Sequence, residues 1–425
     1  MSMRKNILMV GLYPPHHIGG GEAQQYVLAH MLNERGYDVS VLSMGDKKNY
    51  EVYDEDGVKV YRIGKFQNDR RGFVNIFNAL KYVTLEIFNP LIFFFTIFLI
   101  LRHRIHSVHI INYHQISLAP LIASKLLLRN IVVTMHAHEL ICSYSSMMPF
   151  CFGIGGGRCG ECLFYYHKLP KKLKSLENII GSVLNLITSS ILSIKLDMTN
   201  SLANSIVFPS FYSKSMHLKH GVDRRKAKVI HCFLNDFKEI NEKNHKSDKK
   251  VILYVGKIME EKGIEVLIRS AKKLLKYDKK WKLIIIGVGR SLNEMKKLTH
   301  ELGINQYVEF LGHVQHHDIF EYYNLADIVV IPSTVPETFS IALLEAHLSK
   351  KITICSKIGA LEERIIDGET GFLVEPNNSD ELAKKIYFVL KNYAKLKSIE
   401  EKAYLNAKKL YNSERSFSEY VKLLG

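Results

Sequence analysis

Short β-branched runs alternate with helix-length stretches twice along this chain, and the second series begins afresh after a charged break. The first series has its apolar runs at 7–12, 38–43, 58–63, 108–112, 131–135 and 205–208; the second has them at 251–255, 283–286, 308–310, 328–331, 352–356 and 371–374. Strand and helix in alternation is the pattern of a parallel sheet covered by helices. At 425 residues the chain also exceeds what one hydrophobic core organises. The expectation is therefore an α/β protein of two Rossmann-like domains, 1–235 and 251–425. The polar, charged stretch 236–250 would link them, and the last helix would be free to pack back on the first domain.

Hydrophobic residues make up 47% of the chain and charged residues 24%, ordinary globular values that exclude a disordered chain. The formal net charge of +16 points to an anionic partner: a membrane surface, a phosphorylated substrate or nucleic acid. No helix-turn-helix spacing, paired zinc finger or aromatic RNA-binding signature is present, so nucleic acid is set aside. About six apolar residues precede Pro14, too few for a signal peptide, which makes the expected location cytoplasmic. The most apolar run, Leu91 to Leu101, has eleven residues, whereas a spanning helix needs about twenty. It is either a core helix or a face docked in a bilayer interface, the second being favoured by Arg102 and Arg104 behind it and by Lys168, Lys171, Lys172 and Lys174.

In open parallel sheets ligands bind outside the carboxyl ends of strands, and each polar candidate follows a strand. After 7–12 comes Gly19-Gly20-Gly21-Glu22, where missing side chains let backbone amides approach a phosphate. Neither the Gly-x-Gly-x-x-Gly fingerprint nor a Gly-x-x-x-x-Gly-Lys loop occurs, which removes support from dehydrogenase and NTPase readings. After 131–135 comes His136, able to donate to a sugar hydroxyl or to sit in the core bonded to backbone. After 251–255 come Lys257 and Lys262, two cations able to neutralise a diphosphate without a metal. After 328–331, Pro332 and Pro336 break the strand and a helical pattern begins near Phe339. That puts Glu337 in a strand-to-helix loop and Glu345 on the helix. Amides near Phe339 and Ser340 would be free for a phosphate, and a carboxylate on either side can accept from vicinal hydroxyls, one holding sugar and the other ribose. Taken singly, each of these features also suits a solvated turn.

In this order the pieces resemble the retaining glycosyltransferases of family 4, which have the GT-B fold. The resemblance runs from about Lys5 to the C-terminus. It is carried by Gly19-Gly20-Gly21-Glu22, His136, Tyr254-Val255-Gly256-Lys257, Glu260-Glu261-Lys262-Gly263, Ile286-Gly287-Val288-Gly289, Phe310-Leu311-Gly312, Glu337 to Glu345, and Asp367-Gly368-Glu369-Thr370-Gly371. It implies a nucleotide-diphosphate sugar donor and transfer of a hexose to a glycan or lipid-linked hydroxyl, with no metal or other cofactor needed for catalysis. Glu337 would hold the donor sugar, Glu345 the ribose, and Lys257 with Lys262 the diphosphate. Gly20, Gly287, Val314, Phe339 and Ser340 would complete the donor site, and His136 would serve the reaction centre. The family usually has arginine at Lys257 and often aspartate at Ala137; the first change loses bidentate geometry, and the second leaves the orientation of His136 open.

Cys142, Cys151, Cys159 and Cys162 end in a Cys-x-x-Cys pair, a spacing compatible with a structural zinc or iron–sulfur site. Asp54-Glu55-Asp56 superficially matches the Asp-x-Asp metal motif of the other large glycosyltransferase fold, but Gly57 and the alternation behind it read as a turn before a strand. From a different class, a non-catalytic sugar-nucleotide sensor or membrane scaffold would share this fold.

Overall fold

A computed structural model describes residues 5–14, 19–45, 50–64, 87–113, 116–142, 177–234 and 249–425, without the side chains of 177–188 and 317. The chain divides into two compact units, Met1–Asn235 with Ser413–Gly425, and Asp236–Asn412.

The first unit is built on β1 (Asn6–Val10), β2 (Asp38–Gly45), β3 (Glu51–Glu55), β4 (Val58–Gly64), β5 (Ser107–Ile111), β6 (Asn130–Thr134), β7 (Ser205–Phe208) and β8 (Ala227–Val229). They form one sheet in the order β3-β4-β2-β1-β5-β6-β7-β8. All neighbours are parallel except β3 against β4. The run Ile7 to Val10 is fully buried because helices cover both faces, which is why its sequence lacks a polar alternation. Sequence reading missed β3 and β8. The first alternates half-buried and exposed positions at a sheet edge, and the second is only three residues long. Asp56 (φ 50°) and Gly57 (φ 86°) make the tight turn between β3 and β4, and the Gly57 amide donates to the Asp54 carboxylate at 2.8 Å. The acidic triplet is thus a hairpin corner. The C-terminal helix, Ser413–Leu424, belongs to this unit: Phe417, Tyr420 and Leu424 enter its core, and the Leu423 carbonyl accepts from Asn130 Nδ2 at 2.7 Å.

The helix Pro90–Arg102 has two different faces. Asn89 caps it by accepting from the amides of Leu91 and Ile92, and Pro90 takes the first position, where its missing N–H costs nothing. Ile92, Thr96, Leu99 and Ile100 face the core, while Phe94 (66% exposed), Phe98 and Leu101 face outward. One side is core and the other is an apolar surface. Among the described residues no helix is long and apolar enough to cross a membrane.

The second unit comprises β9 (Lys250–Val255), β10 (Trp281–Ile286), β11 (Val308–Gly312), β12 (Ile328–Ile331), β13 (Ile352–Ser356) and β14 (Phe372–Val374). The order is β11-β10-β9-β12-β13-β14 and every pair is parallel. Chain direction across the sheet reverses between β9 and β12, the switch point at which two successive connections leave toward opposite faces and open a crevice.

The two faces of the Pro90–Arg102 helix give a direct check. Leu99→Ala should destabilise the first unit by roughly 2–5 kcal/mol, and Phe98→Ser by less than about 0.5 kcal/mol, measured as shifts in the denaturation midpoint. Equal effects would contradict the assignment of faces.

Candidate active site

In the first unit, three loops leave the carboxyl ends of β1, β5 and β6. The helix Gly20–Glu34 starts after Gly19 without a side-chain cap, so amides of its first turn have no side-chain acceptor of their own. A Cβ on Gly21 would lie 3.1 Å from Cβ of His136, so glycine is what allows His136 to rest against the helix start. Asn112, at the end of β5 with φ 57°, accepts from the His136 amide through Oδ1 at 2.9 Å. Sγ of Cys232 lies 3.7 Å from Nδ1 of the ring. Burial pushes the His136 imidazole down to about 4, so the ring is neutral near pH 7 and offers one donor and one acceptor. Asn112 went unremarked in the sequence; with Ala137 unable to orient the histidine, it fixes the backbone instead. Cys142 is buried in the core, and Cys151, Cys159 and Cys162 lie outside the described residues.

The second unit assembles its polar groups at the switch point. β9 ends in a turn at Glu260–Lys262 closed by Gly263 (φ 68°), whose Cβ would fall 1.7 Å from the Pro332 carbonyl oxygen. Only glycine lets the loop after β9 lie against the loop after β12, and the Thr334 amide then donates to the Glu261 carbonyl at 2.9 Å. That contact delivers Lys262 to Glu337: Nζ lies 2.7 and 2.9 Å from the two carboxylate oxygens, and Ser333 Oγ donates to Oε1 at 2.6 Å. Burial pushes the Glu337 carboxyl up; the Lys262 ammonium, the Ser333 hydroxyl and the Arg364 guanidinium outweigh it and hold the group below the usual carboxylate range. Glu337 is therefore an anion, with its side chain 11% exposed. Lys257 is exposed at the end of β9, and its ammonium has no partner among the described residues.

The helix Ile341–Leu348 begins two residues later than the pattern indicates, because Ser340 takes a positive φ of 71°. Glu345 is buried on that helix with both oxygens engaged. His316 Nε2 lies 2.9 Å from Oε1, and the Tyr323 hydroxyl donates to Oε2 at 2.9 Å. Both partners sit on the helix His316–Leu325 and neither was singled out from the sequence. The hydrogen bond to Glu345 raises the His316 imidazole above its ordinary value.

Of the remaining expected donor residues, Phe339 has its ring buried against Arg364 and Tyr411, which leaves its backbone, the part expected to serve, to face a ligand. Gly287 (φ 139°) is required by packing, since a Cβ there would lie 1.9 Å from the Gly256 carbonyl oxygen. Val314 is half-buried and packs on the apolar cluster around Tyr323. What the second unit brings together is Lys262, Glu337, Glu345 and the helix start at Ser340.

Two family descriptions match the chain in succession. Residues 18–236 match Glycosyltransferase Family 4, and residues 235–406 match Glycosyl transferases group 1. An uncharacterised glycosyltransferase of Methanocaldococcus jannaschii is 38% identical over 146 residues, 34% of this chain and 37% of that protein. The lipopolysaccharide 1,2-N-acetylglucosaminetransferase of Salmonella typhimurium is 31% identical over 34% of this chain and 40% of its own length. The chain thus aligns with well under half the length of these relatives. Solved structures align throughout: Anabaena HepE in complex with UDP and glucose has a TM-score of 0.68 at 18% identity, covering 99% of both chains. Sucrose-phosphate synthase from Thermosynechococcus elongatus has a TM-score of 0.70 at 17% identity, covering 99% of this chain and 98% of that one. This likeness shows the GT-B fold class, and the family match over residues 18–236 spans half of the sequence. The chain belongs to glycosyltransferase family 4.

Proposed function

We propose that the protein is a retaining glycosyltransferase that moves a hexose from a nucleotide-diphosphate sugar to a hydroxyl of a glycan or lipid-linked acceptor in envelope glycan assembly, without a metal. The observation that carries this reading is the largely buried Glu337 anion held by Lys262 at the switch point of the second unit, with Glu345 one helix turn beyond the open amides at Ser340. A carboxylate that has already shed its water can accept from sugar hydroxyls at little further desolvation cost. Lys262 and Lys257 can neutralise the diphosphate, whose terminal phosphate becomes a dianion when the anomeric bond breaks. Stabilising that leaving group and positioning the acceptor hydroxyl supply the rate. In such a reaction the acceptor approaches the face vacated by the diphosphate, which takes the proton. UDP is the nucleotide assigned to the donor in this reading, because the Anabaena neighbour holds UDP and glucose.

UDP-, GDP- and ADP-sugars should be screened by thermal shift and slow hydrolysis, with and without EDTA. Stabilisation by one class, resistant to chelator and accompanied by sugar release, is the expected result. Glu337→Ala should abolish release, and His136→Ala should slow turnover. Binding without turnover under every condition would instead identify a sugar-nucleotide sensor.

Ribose enters at Glu345, where it must displace a hydrogen-bond partner. Tyr323 is buried, whereas the His316 side chain is 58% exposed, so His316 is the group that leaves. The groups facing it are Glu345 and, on its own helix, Tyr323 and the edge of Phe320. Charged His316 grips Glu345 harder than neutral His316, so nucleotide-sugar affinity should fall as pH drops through the raised pKa. The same pair contributes stability that is present below the ordinary imidazole pKa of about 6.5 and is lost as pH rises through the raised value. Titrating the ring by NMR checks this: Glu345→Gln should return His316 toward the ordinary value and remove both pH dependences.

Phe94, Phe98 and Leu101, with Arg102 above Phe98, form an apolar face edged by positive charge, suited to peripheral contact with anionic lipid. Co-sedimentation with vesicles containing phosphatidylglycerol should fall several-fold in Phe94→Ser/Phe98→Ser. Unchanged binding would remove the membrane from the proposal.

A further inference from the structure

Arg364 lies at the end of the short helix Ala360–Arg364 and is only 4% exposed. Its guanidinium is sandwiched between the rings of Phe339 and Tyr411, at 3.8 and 4.4 Å from their centroids, and Nε donates to the Tyr411 hydroxyl at 3.1 Å. One nitrogen, Nη1, donates to two successive backbone carbonyls, those of Phe339 and Ser340, the second at 2.8 Å. Those carbonyls flank Ser340, which has φ 71° and ψ 97° without being glycine. Such a backbone conformation is strained and persists only where its surroundings over-determine it. The guanidinium, fixed on both faces and along its edge, does so.

A trans peptide carries its carbonyl and the following N–H on opposite sides of one plane. Turning the Phe339 and Ser340 carbonyls inward onto Arg364 therefore turns the amides of Ser340 and Ile341 outward. Neither amide donates to another described residue, and Ser340 supplies no side-chain cap. Together with the orphan amides of the first turn they form a set of parallel donors at the start of the Ile341–Leu348 helix. The neighbouring loop is held to the same frame. The Ala360 amide donates to the Glu337 carbonyl at 2.9 Å, and Gly359 (φ 60°) has no room for a Cβ beside the Glu337 backbone.

We infer that Arg364 is a positioning residue: by capturing the Phe339 and Ser340 carbonyls it aims the Ser340 and Ile341 amides at the diphosphate of the donor. The inference rests on the donor-site reading above. It assigns to a buried side chain that touches no ligand the geometry of the leaving-group site, at a position where nothing in the local sequence signals such a role.

The test uses the full chain and the tightest binder among UDP, GDP and ADP, each compared with its parent nucleoside. Arg364→Met, which keeps length and ring contacts but offers no donor, should weaken the diphosphate at least tenfold while changing nucleoside affinity by less than about twofold. Arg364→Lys keeps the charge without the planar fork and should fall between. It also carries the test if the methionine variant does not fold. Loss of nucleoside and diphosphate affinity in parallel would mean a merely structural role and overturn the inference. Wild-type affinity in Arg364→Lys would show that charge alone suffices and overturn it equally. If the wild-type protein binds none of the three diphosphates, the donor reading falls, and this inference falls with it.

Discussion

A largely buried carboxylate must find a cation or give up its charge, and the loops of the second unit are arranged so that Glu337 finds one. Lys262 reaches it only because the turn after β9 passes within contact distance of the chain after β12, and that passage is open only to glycine at position 263. Backbone comes first here and electrostatics second. The Pro332 carbonyl fixes where the turn can lie, and the turn fixes where the ammonium ends. Replacing the glycine would move the cation and leave an uncompensated anion in a dry site, a more costly outcome than loss of a surface ion pair.

Around this pair the same logic recurs at growing distance. Ser333 adds a hydroxyl to Glu337, Arg364 adds a more distant positive charge, and the Arg364 fork also ties down the strained residue that opens the next helix. Glu345 is treated differently. Among the described residues it has no lysine or arginine, only a tyrosine hydroxyl and an exposed histidine, the second able to leave. One carboxylate is built to stay ionised and fixed; the other is built to exchange a partner. In the first unit a third treatment appears, with His136 kept neutral by burial and held through its backbone by Asn112.

Much of this was legible in the order of residues. Parallel strands buried on both faces need continuous apolar runs, and those runs located twelve of the strands to within about two residues of their observed ends, the usual margin at element boundaries. Glu337, Glu345 and Lys262 could be named because charged residues directly after a buried strand must lie at its carboxyl end. The edge strand β3 and the three-residue β8 escaped notice, since an alternating edge and a very short strand carry little periodic signal. Asn112, Ser333, His316, Tyr323 and Arg364 escaped for another reason. Each acts on a residue that is distant in sequence or hidden inside a turn, and no local pattern marks a side chain whose hydrogen-bond partner lies 22 to 29 positions away.

By itself, then, the sequence determined the class of fold, the division near residue 236 and the identity of the charged groups at the strand ends, because hydrophobic periodicity and glycine placement are local properties read one segment at a time. Only the tertiary structure decided which charges meet, which are neutralised and which amides point outward. Those outcomes depend on register between strands, on the approach of one backbone to another and on the dielectric that burial creates, and none of these exists until the chain has closed on itself.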